Sequence, residues 1–136
     1  MNTQTQGFTT KTEMLRELYL KYDLTNEDTF KSPQGWTIIT RSGIDKIQAK
    51  AKIDITYKVV PEMTSVTEKF CAVKAMAEWN GRKLETFGEA NPQNCRQSYI
   101  LSMAEKRAMS RIVLKLTGFY ELGVFGQDES EDFKRK

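Results

Sequence analysis

The chain has 136 residues, 39% hydrophobic and 29% charged, with a net charge of +3 and no histidine. That length suits one core rather than two, and no apolar run approaches the roughly 18 residues of a membrane span. The start at residues 1–6 is polar, without a basic-then-apolar leader, so an intracellular protein is expected. Two cysteines, Cys71 and Cys95, and no histidine make neither a disulfide framework nor a zinc site, and they remove the usual general base. The composition therefore argues against metal chemistry, and neither a cofactor nor an enzyme is expected.

Residues 1–9 are polar and read as a flexible arm. A first helix is expected over 11–22, because Thr10 and Glu13 have capping-box spacing and Met14, Leu15, Leu18 and Tyr22 recur at helical spacing. Residues 23–35 form a connector punctuated by Pro33 and Gly35, and Trp36, Ile38 and Ile39 form a short strand. Ser42 can cap a second helix carrying Ile44, Ile47 and Ala51.

Ile53, Ile55, Tyr57 and Val59 alternate with polar residues as a half-buried strand that Pro61 stops. A longer strand is expected over 66–79, with Cys71, Val73, Ala75, Ala77 and Trp79 on one side. Asn80-Gly81 is a strong hairpin signal, since a type I′ turn needs positive φ at both central residues; a third strand follows over 82–90. After Asn91-Pro92, residues 94–117 contain neither glycine nor proline and form the longest expected helix, ended by Gly118. The fold class expected is α+β: a three-stranded antiparallel meander followed by a long packing helix, a β-β-β-α core, with a short N-terminal helix. One domain over 10–126 would be followed by a flexible tail over 127–136, acidic and then basic.

The charge concentrates on the long helix. Arg96, Lys106, Arg107, Arg111 and Lys115 stand there against Glu105 alone. At 100° per residue, Arg96, Arg107, Arg111 and Lys115 share one stripe, beside an apolar stripe of Leu101, Ala104, Ala108, Ile112 and Leu116. Arginines so spaced can hold phosphates with two hydrogen bonds each, releasing counterions as they do. Lys74, Arg82 and Lys83 add cations from the strands. Trp36, Tyr57, Phe70, Trp79, Phe87, Tyr99, Phe119 and Tyr120 are available for base stacking or for the core.

The Asn-Gly hairpin followed by AEKRAMSRIVLKLTG resembles the single-strand annealing proteins, a group that includes the eukaryotic Rad-type annealing protein and the phage Erf, Sak and Red-beta types. The resemblance covers residues 44–125. Its most specific part is the helix, where Ala104, Arg107, Ala108 and Arg111 resemble that family's small and basic positions before a glycine at Gly118. It implies a β-β-β-α unit that assembles into rings or filaments and anneals single-stranded DNA in recombination and repair, in the host cytoplasm if phage-encoded. By that resemblance Arg107 and Arg111 hold the strand, then Lys106, Lys115 and Arg96, with Lys74, Arg82 and Lys83 behind. The larger members recruit a single-strand-binding protein or recombinase through a further domain, a role the acidic tail can take here. Two rival readings stand beside it: a small interaction or regulatory module that engages a host or replication protein, and a magnesium nuclease built on Asp45, Asp54, Glu78 or Glu89.

Overall fold

In the computed structural model, which describes residues 10–92 and 99–129, Thr10 forms the capping box expected of it. Its hydroxyl accepts from the Glu13 N–H at 3.1 Å while the Glu13 carboxylate accepts from the Thr10 N–H at 2.9 Å. Helix α1 (Lys11–Lys21) follows. The connector after it is more structured than its composition suggests. A 3₁₀ turn leads into strand β1 (Thr29–Lys31), which pairs antiparallel with β2 (Thr37–Ile39).

Helix α2 (Arg41–Ala51) is capped by Thr40, whose Oγ1 accepts from the Gly43 N–H at 3.1 Å; this corrects the assignment of the cap to Ser42. Strands β3 (Ile55–Val59), β4 (Cys71–Trp79) and β5 (Arg82–Ala90) form an antiparallel sheet in that order. β4 starts later than residue 66 because Ser65 and Phe70 bridge each other around a tight turn, with Lys69 at φ +64°. The hairpin forms as the dipeptide demands, with Asn80 at φ +51° and Gly81 at φ +77°. Cys71, Val73 and Ala75 turn inward from β4 and are buried.

Helix α3 (Ile100–Thr117) ends on Gly118 in the left-handed region. The first residues expected in this helix, 94–98, lie outside the described residues, as do the arm at 1–9 and residues 130–136. Ala104 and Ala108 are fully buried, and a Cβ on Gly88 of β5 would collide with the backbone at both. Small residues on both elements therefore let helix and sheet meet backbone to backbone. Leu101, expected on the same apolar stripe, is 52% exposed.

Two corrections follow from the far side of α3. After the helix the chain returns as β6 (Val124–Gly126), which pairs parallel with β2 and completes a second sheet, β1-β2-β6. The α+β class holds, but with three helices and two three-stranded sheets rather than one meander. α3 packs on β4 and β5 and also on β6 and α2, so from Arg107 on it is buried almost all round. The core joins Ile39, Ile44, Ile47, Val73, Ile112, Leu114 and Phe119. Gln127–Glu129, assigned by sequence to the tail, form a 3₁₀ turn against α3, with Asp128 2% exposed.

Candidate nucleic-acid interface

Arg107 and Arg111 stand one turn apart on α3 and face the outer edge of β5. In an antiparallel sheet alternate residues direct their backbone groups away from the neighbouring strand, and at the edge of β5 those groups include the carbonyls of Phe87 and Glu89. Arg107 Nη1 donates to Glu89 O at 2.8 Å, and its Nε donates to Asp128 O at 3.1 Å. Arg111 Nη1 donates to Phe87 O at 2.5 Å and to the Glu89 carboxylate at 3.1 Å. The two arginines thus occupy the outward carbonyls at the C-terminal end of this edge, where a further strand would otherwise pair.

Arg107 is 1% exposed. The sequence expectation made it the leading strand-holding residue; in this fold its guanidinium braces β5 and the C-terminal turn instead. The helical wheel put it beside the apolar stripe but could not show that residues 127–129 cover that side. Asp128 belongs to the same buried cluster. Its carboxylate accepts from Arg41 Nη2 at 2.6 Å, Arg41 Nε at 3.2 Å and Ser110 Oγ at 3.3 Å. The hydrogen bonds and charge of Asp128 hold the Arg41 guanidinium above the ordinary arginine range.

The other expected contacts separate. Arg111 keeps 23% of its side-chain surface in solvent, and Lys106 and Lys115 are half-buried. Lys74 and Lys83 lie by strand alternation on the sheet face opposite α3, where Lys74 is 3.6 Å from Glu85 and Lys83 borders a groove with Asp54, Glu78 and Glu85. That face is mixed in charge rather than basic. Arg82 pairs with Trp79 at the hairpin and is exposed. Arg96 lies outside the described residues. The seven cations among the described residues therefore do not form one surface.

What the fold does assemble is a row of aromatics leading away from Lys115. Lys115 Nζ stands 5.3 Å from the Tyr120 ring centroid. Tyr120 meets Phe125 edge-on at 5.5 Å, and Phe125 meets Trp36 at 5.6 Å. Trp36 is 38% exposed and Tyr120 and Phe125 are half-buried. Arg111 precedes Lys115 by one turn on the same helix, so cations and rings succeed one another. Trp36 and Tyr120 were among the stacking candidates from sequence; Phe125 was not, because its place depends on the β2–β6 pairing that sets it opposite Ile38. Of the other candidates, Phe119 is core, Trp79 donates its indole N–H to Ala51 O at 2.7 Å, and Phe87 and Tyr99 are exposed elsewhere.

Of the carboxylates considered for a nuclease, Asp54 and Glu78 line one groove, and no group of three or more His, Cys, Asp or Glu suited to a metal occurs among the described residues. No helix of the described residues is long and apolar enough to cross a membrane. The fold and the row together define an α+β domain with a cation-and-aromatic surface. Comparison with models of known families, with curated proteins and with solved structures finds no match to this chain.

Proposed function

We propose that the protein binds single-stranded DNA along Arg111, Lys115, Tyr120, Phe125 and Trp36, and that it promotes annealing of complementary strands in recombination and repair. The observation that carries this reading is Lys115 standing over Tyr120 at the head of an aromatic row in which Trp36 is 38% exposed. Cations beside ring faces are what a flexible single strand requires: one holds phosphates, the other stacks bases without regard to sequence. The succession β3-β4-β5-α3 supports it further, being the order of elements that the annealing-family resemblance implies. Annealing needs no acid, base or metal, only strands held extended and close, and an oligomer multiplies weak contacts along the strand. On this reading the protein works in the cytoplasm, that of the host if phage-encoded, with a single-strand-binding protein or recombinase as further partner.

The test is annealing of complementary oligonucleotides by the wild type beside Lys115→Ala and Trp36→Ala. Loss of a phosphate contact is expected to weaken binding and lower the salt slope by about 1. Loss of a stacking ring is expected to cost about 1–3 kcal/mol. Wild-type rates from both variants would reject this surface. The rival interaction-module reading draws on the face of the β3-β4-β5 sheet opposite α3, where Phe87 is 46% exposed among mixed charges; it predicts no salt-dependent binding at all.

A further inference from the structure

β3 and β5 are the two edges of the antiparallel sheet, and they are treated differently. Val60 donates to Ala72 O at 2.9 Å, so the alternation turns the backbone groups of Thr56, Lys58 and Val60 toward β4 and those of Ile55, Tyr57 and Val59 outward. On β5 the corresponding carbonyls of Phe87 and Glu89 are taken by Arg111 and Arg107. Among the described residues nothing takes the outward groups of Ile55, Tyr57 or Val59. Val59 is 41% exposed, Thr56 and Lys58 are exposed, and no proline or bulge interrupts the strand. An open edge of this kind accepts a further strand.

We infer that the strand is β3 of a second copy of this chain, paired antiparallel about a two-fold axis at Tyr57. In that register Tyr57 lies opposite its own counterpart, Ile55 opposite the second copy's Val59, and Thr56 opposite the second copy's Lys58. Every pair on the inner face is then apolar or aromatic. Lys58 faces a threonine, with the second copy's Asp54 on one diagonal and its Lys58 on the other, so no like charge stands directly opposite the edge lysine. A shift of two residues one way sets Lys58 against itself; the other way, Val59 faces the buried Ile53 where the chain leaves α2. The pairing adds about six backbone hydrogen bonds and makes one continuous sheet from two subunits. It is an isologous contact, closed at two copies. It goes beyond the nucleic-acid reading and does not depend on it.

Two measurements decide it. Sedimentation equilibrium of the wild type is expected to show a reversible rise from the 15.7 kDa chain to twice that mass. Tyr57→Pro, which deletes an outward N–H without touching the bonds to β4, is expected to remain monomeric with an unchanged circular dichroism spectrum. The register is tested with Cys71 and Cys95 replaced by Ala. A mixture of the Thr56→Cys and Lys58→Cys chains is expected to oxidise to a covalent dimer, while either alone links poorly. The proposal is overturned by a monomer at every concentration, by cross-linking of either single-cysteine chain as fast as the mixture, or by an oligomer in which the mixture does not link. The cross-linking arm stands even where Tyr57→Pro fails to fold.

Discussion

Replacing Arg107 with alanine is expected to act on stability before it acts on any ligand. The guanidinium is buried and donates to the carbonyls of Glu89 and Asp128. The buried Asp128 carbonyl left without its donor costs about 1–3 kcal/mol and the part-buried Glu89 carbonyl less, and the cavity left by the side chain adds to that. A total of about 3–6 kcal/mol is a large share of the roughly 5–15 kcal/mol that holds a domain of this size together. With a urea m-value of about 2 kcal/mol/M, the unfolding midpoint should fall by about 2 M. Urea titration followed by circular dichroism measures it, with Lys106→Ala as the surface control, expected within about 0.5 kcal/mol of wild type. An Arg107→Ala protein with an unmoved midpoint and no affinity for single strands would refute the reasoning, because the guanidinium would then serve a ligand rather than the two carbonyls.

Gly88→Ala is expected to cost more than about 3 kcal/mol, since its Cβ would meet α3 backbone that cannot yield; thermal unfolding checks this. Asp128→Ala should destabilise by about 1–3 kcal/mol through the loss of its bonds to Arg41 and Ser110, read by the same urea titration. Asp28 is held below the usual carboxylate range first by the hydrogen bond from Lys46, at 2.7 Å, and by the Thr25 N–H. Its stabilisation is present above its unfolded pKa of about 4 and lost as pH falls through the folded value; Asp28→Asn should flatten the acid limb of thermal midpoint against pH. Burial, with the charges of Glu105 and Asp45, pushes the Tyr57 phenol up to about 12. The stability that follows is full below the unfolded tyrosine value of about 10 and is lost between there and about 12. Ultraviolet difference titration should show this phenol ionising after those of the unfolded chain.

Local signals in the sequence were legible wherever neighbours along the chain decide the outcome. The Thr10–Glu13 box, the Asn80-Gly81 turn, the β5 span and the Gly118 cap all rest on contacts a few residues apart. Ala104 and Ala108 were legible as apolar-stripe positions, though not the Gly88 beneath them. What stayed hidden depends on partners far away. β6 is three residues long, too short for periodicity, and exists because β2 lies beside it. Asp128 sits in an acidic run that composition assigns to solvent; only the fold brings Arg41 and Ser110 to it. The helical wheel set Arg107 on one side with Arg111 and Lys115, but a stripe does not say which face another segment covers, so Arg107 was taken for a surface cation. The aromatic row failed to register for the same reason, its members coming from β2's approach, the turn after α3 and β6.

The most direct test of the nucleic-acid surface uses Trp36 as its own reporter, in a Trp79→Phe background that leaves one indole. Titration with a single-stranded oligonucleotide at low salt is expected to quench Trp36 fluorescence to a stoichiometric end point. The affinity should fall linearly in logarithm with salt and should weaken on Lys115→Ala. Fluorescence unchanged by the oligonucleotide at low salt, in a protein whose circular dichroism shows it folded, would contradict a single-strand site on this surface.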